Sequence, residues 1–243
     1  MNLKKYVPNI ITLLNLFCGC IALMFVFQQN FEMAFLLVSL GIFLDFFDGF
    51  FARLFDVSSP LGLQLDSLAD MVTSGVVPGT VMFFMISNAI NFDTSSSTIY
   101  QPKMWISLLG FIITMASCYR LANFNIDTRQ TDSFIGLPTP ANALFILSLP
   151  LILKSTSSLL VLGLLINEWI LLLITALSAY MLNAEIPLFA LKIKEFSFEK
   201  YKLQISFLLF SVVLLIFLQL SAIPIIIMSY VLLSVINNRM WKK

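Results

Sequence analysis

The sequence predicts an all-α polytopic membrane protein with about eight transmembrane helices. Its 243 residues are 59% hydrophobic and 11% charged, with a mean hydropathy of +0.96, whereas soluble domains average about 45–50% apolar and about 25% charged residues. Apolar runs of about 20 residues, the length of a membrane-spanning helix, recur from end to end. The predicted helices cover residues 8–28, 32–55, 62–88, 105–125, 139–153, 160–182, 203–220 and 223–238.

Polar segments, several of them with Pro or Gly, separate the predicted helices. The basic start resembles a signal peptide, but the apolar stretch continues to Phe27 and lacks a clear small-residue cleavage site, so we expect a retained first helix. The sixth predicted helix contains Glu168, which is unexplained unless it marks a helix boundary. The breaks fall at residues 28–30, 56–62, 91–103, 125–138, 154–158, 192–202 and 221–224.

Basic residues predict the orientation, because cytoplasmic loops of membrane proteins carry an excess of Lys and Arg. With the N-terminus in the cytoplasm, only Lys103 and Lys154 lie outside. The other twelve lie inside: Lys4, Lys5, Arg53, Arg120, Arg129, Lys192, Lys194, Lys200, Lys202, Arg239, Lys242 and Lys243. This split favours an even number of helices with both termini in the cytoplasm.

The composition excludes several chemistries. The chain contains no histidine, which rules out Ser-His and Cys-His catalytic pairs, histidine nucleophiles and histidine-bound zinc. A metal site would be built mainly from oxygen ligands, which suit Mg²⁺, Mn²⁺ or Ca²⁺. Cys18, Cys20 and Cys118 form no CxxC motif, so we expect small apolar packing residues rather than a disulfide framework or a metal cluster.

Four aspartates interrupt the strongly apolar segment 44–70. They are Asp45, Asp48, Asp66 and Asp70. Ionised carboxylates at membrane depth cost several kcal/mol unless they are paired or hydrated, so they are candidates for a functional site. A lone helix-end aspartate in contact with water is common, but four on facing arcs repel one another. One or two divalent cations would relieve that repulsion.

Helical spacing turns these carboxylates toward one another. At about 100° per residue, Asp45 and Asp48 share one arc of their helix with Gly49 and Ala52. On the next helix, Asp66 and Asp70 continue a four-residue spacing that begins at Gly62. The short link with Pro60 predicts an antiparallel hairpin of the second and third helices. The small residues leave room for a bulky ligand, and Arg53 is the adjacent counter-charge.

The spacing of these residues resembles the signature of the CDP-alcohol phosphotransferases, membrane enzymes of phospholipid synthesis. Its eight fixed positions are Asp45-x2-Asp48-Gly49-x2-Ala52-Arg53-x8-Gly62-x3-Asp66-x3-Asp70. The resemblance implies a single integral-membrane domain over residues 1–243 with its signature at 45–70. The charge distribution places this segment, and hence the active site, at the cytoplasmic end of the helix bundle.

The resemblance also implies roles for individual residues. One or two Mg²⁺ or Mn²⁺ ions would be held by Asp45, Asp48, Asp66 and Asp70, and Asp70 would act as the catalytic base. The CDP part of the donor would contact Gly49, Ala52, Arg53, Gly62, Asn9 and Thr12. For the last two, an ordinary role at a helix entry is an equal alternative.

Flanking residues resemble the membrane-type phosphatidylserine synthases within this family. The similar segments are YVPNIITLLNLFCG at the start, LDSLADMVTSGVVP after the signature and YRLANFNID…FIGLPTP at 119–140. The resemblance implies Arg120 and Asn125 as ligands of the acceptor or of phosphate, although Arg120 is also typical of a cytoplasmic helix end. Asn123 stands where that subfamily usually has a basic residue. The prolines of GLPTP also suit a helix start.

The implied reaction is metal-dependent transfer of the phosphatidyl group from CDP-diacylglycerol to L-serine, with release of CMP. The same chemistry on glycerol 3-phosphate or inositol phosphate is the close alternative. A carboxylate-lined cation transporter or a structural membrane protein would explain the aspartates but not the fixed small residues. The expected partners are the two substrates, membrane lipids and a second copy of the chain, without nucleic acid. The expected location is the bacterial cytoplasmic (inner) membrane.

Overall fold

The computed structural model describes residues 6–92, 104–127, 134–188 and 202–241, most of them helical. The helices are α1 (Val7–Phe27), α2 (Phe31–Leu54), α3 (Pro60–Asp70), α4 (Val77–Phe92), α5 (Met104–Ser107), α6 (Ile112–Ile126), α7 (Thr139–Ser155), α8 (Leu159–Ile166), α9 (Glu168–Asn183), α10 (Lys202–Leu218) and α11 (Ala222–Trp241). A π-helical turn (Met71–Val76) joins α3 to α4, and 3-10 turns (Leu108–Phe111 and Gln219–Ser221) precede α6 and α11. Strand β1 (Phe134–Ile135) pairs antiparallel with β2 (Pro187–Leu188).

Caps and prolines set where the helices begin. The side chain of Asn30 accepts a backbone N–H of the first turn of α2 at 3.2 Å, and the Ser59 hydroxyl accepts one from α3 at 3.1 Å. Such side-chain acceptors satisfy donors that have no partner within the helix. Pro60 opens α3, where a missing N–H costs nothing. The predicted breaks at 28–30 and 56–62 are therefore explained by local sequence.

Five helical segments of the described residues are long and apolar enough to cross a membrane, or six if the bent pair α8–α9 forms one span. The five are Val7–Phe27, Phe31–Leu54, Pro60–Ile90, Trp105–Ile126 and Leu203–Asn237. The all-helical class is confirmed, while eight spans and cytoplasmic termini stay predictions. The predicted breaks at 91–103 and 192–202 fall largely outside the described residues, as do residues 128–133 of the break at 125–138 and many of the basic residues that predicted the orientation.

The sixth predicted helix is broken rather than continuous over 160–182. Asn167 leaves the helical conformation, and α8 and α9 meet at 74°. The Asn167 side chain caps α9: its Oδ1 accepts hydrogen bonds from the backbone N–H groups of Trp169 at 3.0 Å and Ile170 at 3.3 Å. Glu168 lies in the first turn of α9, where the helix dipole favours a negative charge. Glu168 therefore marks a helix boundary.

The third predicted helix, 62–88, runs through the π-helical turn. This turn directly follows Asp70, and its Gly75 carbonyl accepts a hydrogen bond from the Thr114 hydroxyl of α6 at 2.9 Å. π-Helical turns are rare and occur frequently at functional sites. The turn thus connects the helix that carries two signature aspartates with the helix that enters the core.

The apolar core lies toward one end of the bundle, away from the aspartates. Its fully buried residues include Val26 at the end of α1, Val38 in the first half of α2 and Ile86 in α4. Toward the other end of α1 and α2 the buried residues are polar, among them Thr12 and Asp48. The same two helices therefore change from apolar packing to polar contacts along their length.

A glycine fixes the distance between α4 and the 3-10 turn before α6. A Cβ added at Gly110 would lie 2.6 Å from the backbone nitrogen of Phe83. Rotation of a side chain cannot relieve a contact with backbone, so the two elements would have to separate.

We expect Gly110→Ala to destabilise the protein by about 1–3 kcal/mol, because the added methyl group forces packed elements apart. Gly163→Ala is the matched control, since nothing lies within 4 Å of a Cβ at Gly163 in α8 and alanine favours a helix over glycine. Thermal unfolding of the purified full-length protein in detergent compares the two variants. Equal stability of both would contradict the close approach at Gly110.

Candidate metal and nucleotide site

Three aspartates bring carboxylate oxygens within 4.8 Å of one another. They are Asp45 and Asp48 from α2 and Asp66 from α3, and we call them the carboxylate cluster. Asp48 is buried and the other two are half-buried. Among the residues that the structure describes, no Lys or Arg lies within ion-pair distance of the cluster. Within these described parts of the chain, no paired cation offsets the mutual repulsion of the three charges.

Helix α1 packs against both α2 and α3 and places polar side chains between them. The Thr12 hydroxyl donates to Asp48 Oδ2 at 2.5 Å. The backbones of α2 and α3 make few direct contacts, so the predicted hairpin holds its carboxylates together through α1. Gly41 of α2 permits this approach, because a Cβ there would lie 2.7 Å from Asn15 Oδ1 of α1.

Asn15, which was not predicted from the sequence, lies between the carboxylate cluster and Asp70. It is fully buried, and its Nδ2 lies 3.4 Å from Asp45 Oδ1 and 3.3 Å from Asp70 Oδ1. Asp70 is itself buried and contacts both this amide and the side chain of Asp45. The available signal was a lone amide one turn after Thr12, since polar side chains in membrane helices usually face the bundle interior.

A cavity of about 250 Å³ lies beside the carboxylate cluster. Asp48 and Asp66 are on its wall. So are all six residues predicted to contact CDP: Asn9, Thr12, Gly49, Ala52, Arg53 and Gly62. The structure therefore brings these residues together beside the carboxylates, while their contact with a nucleotide stays a prediction.

Small residues keep the wall of this cavity close to the backbone. A Cβ at Gly62 would lie 3.3 Å from Asn9 Oδ1, and a Cβ at Gly49 would lie 3.4 Å from Arg53 Nη1. The exposed Arg53 side chain therefore folds back along α2 toward the cavity. A guanidinium in this position suits phosphate oxygens, which it can bind with two parallel hydrogen bonds.

Arg120 lies outside this cavity and contacts backbone carbonyls. It is buried in α6, and its Nη1 donates to Ile135 O at 2.7 Å and to Leu182 O at 2.8 Å. These bonds join α6 to β1 and to the end of α9. Gly136 has a φ of +74°, and a Cβ there would lie 2.9 Å from Arg120 Nη1. Arg120 is thus no solvated helix-end arginine, and its role toward a substrate stays a prediction.

Asn125 also lies outside the cavity and contacts the signature helix. Its Nδ2 donates to the Ser67 hydroxyl at 2.9 Å. Ser67 directly follows Asp66 in α3, so Asn125 connects the end of α6 to the carboxylate cluster. Asn123 is exposed. A contact between Asn125 and an acceptor stays a prediction.

The donor set fits a hard divalent cation. Two oxygens bound to one ion at about 2.1–2.5 Å lie at most about 4.2–5 Å apart, and the oxygens of the carboxylate cluster lie within 4.8 Å. Carboxylate ligands without nitrogen or sulfur are those that Mg²⁺, Mn²⁺ and Ca²⁺ prefer. The three aspartates could therefore hold one such ion.

Comparison with known proteins decides the family. A sequence profile described as CDP-alcohol phosphatidyltransferase matches residues 5–180, which contain the carboxylate cluster, the cavity wall and Arg120. The chain belongs to the CDP-alcohol phosphatidyltransferase family. This confirms the family that the aspartate and glycine spacing predicted.

Curated relatives share this region. The chain is 34% identical over 136 residues to a protein of Bacillus subtilis, which covers 56% of this chain and 70% of that protein. It is 38% identical over 141 residues to a protein of Helicobacter pylori J99, and this match covers 57% of this chain and 54% of that protein. The chain is also 31% identical over 160 residues to a protein of Saccharomyces cerevisiae, and this match covers 59% of this chain and 53% of that protein. All three relatives are named CDP-diacylglycerol–serine O-phosphatidyltransferase, and the chain spans about half the length of the last two.

We expect Mn²⁺ to raise the unfolding temperature of the wild-type protein, because a ligand that binds the folded state stabilises it. At a Mn²⁺ concentration of 100 times the dissociation constant, the free energy of unfolding rises by about 2.7 kcal/mol. Asp66→Asn should lose most of this response. In EDTA it should be at least as stable as the wild type, since one repelling charge is gone.

Asp56→Asn is the matched control for this measurement. Asp56 lies outside the carboxylate cluster with a φ of 53°, a conformation that asparagine adopts readily. We expect its Mn²⁺ response to equal that of the wild type. A full response of Asp66→Asn in the same thermal scans would contradict the metal site.

Proposed function

We propose that the protein transfers the phosphatidyl group of CDP-diacylglycerol to the hydroxyl of L-serine in a metal-dependent reaction of phospholipid synthesis. The products would be phosphatidylserine and CMP. The observation that carries this proposal is the carboxylate cluster beside a cavity lined by residues of the signature. The names of the relatives support serine as the acceptor.

The four signature aspartates would hold one or two Mg²⁺ or Mn²⁺ ions, three of them in the carboxylate cluster and Asp70 beside it. A divalent ion bound there supplies charge neutralisation for the pyrophosphate and for the departing CMP. Thr12 holds Asp48 through its hydrogen bond, so the orientation of that carboxylate does not depend on a ligand. The protein itself thus orients one of the ligand carboxylates.

The cavity wall would bind the CDP part of the donor. Gly49, Ala52 and Gly62 present backbone without bulky side chains, so a nucleotide can approach α2 and α3 closely. Arg53 would bind a phosphate with its guanidinium. Asn9 of α1, whose Oδ1 lies 3.3 Å from the Cβ position of Gly62, offers an amide donor and acceptor beside that glycine.

Asp70 would act as general base on the serine hydroxyl. The serine oxygen attacks the lipid-linked phosphorus, and the bond from that phosphorus to the CMP oxygen breaks. CMP leaves with the electron pair, and the hydroxyl proton passes to Asp70. Burial of Asp70 beside the carboxylate cluster supports this role, because a base must lie within hydrogen-bond reach of the reacting group.

The acceptor remains the finer part of the proposal. Arg120 and Asn125, predicted to bind acceptor or phosphate, lie outside the cavity but connect α6 to β1 and to α3. Glycerol 3-phosphate or inositol phosphate is the close alternative, with the same chemistry at phosphorus. Family membership favours an enzyme over a carboxylate-lined cation transporter.

We also propose that the site faces the cytoplasm from the bacterial inner membrane and that the protein forms a homodimer. The Glu32–Lys154 ion pair, at 2.8 Å, lies near the start of α2. At 1.5 Å per residue, Asp48 lies about 24 Å further along that helix. The two polar regions are thus separated by most of a bilayer core, which supports opposite membrane faces for Lys154 and the aspartates.

We expect the purified protein with Mn²⁺ or Mg²⁺ to release CMP from CDP-diacylglycerol when L-serine is added, and to form phosphatidylserine. A panel of L-serine, glycerol 3-phosphate, inositol phosphate and glycerol identifies the acceptor. CMP release with another alcohol and not with serine would overturn the acceptor but not the class of reaction. Absence of release with every alcohol would overturn the proposed function.

We expect Asp70→Asn to lower turnover by about 10²–10⁴-fold, the usual contribution of a general base. Binding of CDP-diacylglycerol should be largely retained, because Asp70 is not on the cavity wall. Asp56→Asn again provides the control with the same chemical change. Turnover of Asp70→Asn within a few fold of the wild type would exclude Asp70 as the base.

A further inference from the structure

The amide of Asn15 bridges two carboxylates that are expected to have different tasks. Its Nδ2 lies 3.4 Å from an oxygen of Asp45, in the carboxylate cluster, and 3.3 Å from an oxygen of Asp70, the proposed base. An amide nitrogen carries two hydrogens, so it can donate one to each carboxylate. Asp45 and Asp70 also lie within hydrogen-bond reach of each other, so this amide contacts both members of a close carboxylate pair.

The chemistry of the neighbours settles the orientation of this amide. With the amide turned over, its oxygen would face two carboxylates and repel both. The Nδ2 therefore points at the aspartates, and Oδ1 lies toward Gly41, where a Cβ would approach it to 2.7 Å. Oδ1 is buried without a hydrogen-bond partner among the described atoms. A buried acceptor without a partner is costly, which indicates that the side chain is held for its donor group.

The backbone of Asn15 is also fixed to the helix that carries Asp70. The Thr73 hydroxyl, in the π-helical turn three residues after Asp70, donates to Asn15 O at 3.2 Å. Gly19 of α1 permits this approach, since a Cβ there would lie 2.5 Å from Thr73 Oγ1. Both the side chain and the carbonyl of Asn15 therefore contact the segment around Asp70. The position of the amide is set by the packing of α1 and not by a flexible loop.

We propose that Asn15 is a positioning residue that holds Asp70 at a fixed distance from the metal ligand Asp45. The inference rests on the proposed function, which gives Asp70 and Asp45 their roles. An uncharged donor suits this position: it restrains two carboxylates that would otherwise repel, and it leaves the site anionic for a cation. Partners that orient the ligands of a metal typically contribute 10–100-fold in metal affinity or activity.

The test compares Asn15→Ala and Asn15→Leu with the wild type in the full-length detergent-purified protein. Alanine removes the amide, and leucine removes its donors while keeping a similar side-chain size. Three quantities are measured: the Mn²⁺ concentration at which half of the folded protein has bound the ion (the Mn²⁺ midpoint), from a binding titration below the unfolding temperature, and kcat and KM for CMP release. We expect both variants to need about 10-fold more Mn²⁺ and to lose about 10–100-fold in kcat. KM for CDP-diacylglycerol should change less than kcat, because Asn15 is not on the cavity wall.

Asn142→Ala is the matched control. Asn142 in α7 is also fully buried and accepts a hydrogen bond from the Ser178 hydroxyl, away from the aspartates. We expect it to lower the unfolding temperature in EDTA without changing the Mn²⁺ midpoint. A merely structural role of Asn15 would give the same result as Asn142, since a smaller folded fraction lowers the amplitude but not the midpoint.

Wild-type Mn²⁺ midpoints in both Asn15 variants, with kcat within a few fold of the wild type, would overturn the inference. If alanine prevents folding, the leucine variant decides alone. The Mn²⁺ midpoint needs no acceptor, so it separates the two proposals. A protein that releases no CMP with any alcohol, but whose Mn²⁺ midpoint depends on Asn15, would reject the function and retain the role of Asn15 toward the metal ligand.

Discussion

Repulsion among four closely placed carboxylates is the constraint on which the rest of this structure depends. Helix α1 donates hydrogen bonds to these carboxylates from two uncharged side chains: Thr12 donates to Asp48, and Asn15 donates to Asp45 and Asp70. Hydrogen bonds to ionised groups are stronger than those between neutral groups, and a low dielectric strengthens them further. Because these donors carry no charge, they restrain the carboxylates without cancelling the negative potential that a cation requires.

Much of the fold and of the site could be predicted because the relevant signals are local. Apolar length gives the helices, and caps such as Ser59 give their starts. The spacing of Asp45, Asp48 and Asp66 encodes their helical faces, so their convergence follows once two helices approach. Four of the six cavity residues predicted to contact CDP, namely Gly49, Ala52, Arg53 and Gly62, belong to a family signature that records the same local geometry.

The remainder depends on contacts between distant parts of the chain. Whether α1 lies against both α2 and α3 depends on close approaches at glycines such as Gly41, which no helical period reveals. The sequence resemblance predicts Arg120 as a substrate ligand, but its Nη1 donates to the backbone carbonyls of Ile135 and Leu182, 15 and 62 residues away in the chain. The break at Asn167 lies in an apolar run, where a single capping amide outweighs hydrophobic continuity.

The π-helical turn after Asp70 has a consequence for how this helix can vary. An α-helix advances about 100° per residue, so deleting one residue from Met71–Val76 would rotate the aspartates of α3 relative to the buried face of α4. Because the π-helical turn lies between α3 and α4, the direction of the aspartate face of α3 and that of the buried face of α4 are set independently. Substitutions in α4 can therefore tune packing without re-aiming Asp66 and Asp70, whereas insertions and deletions in the turn cannot be neutral.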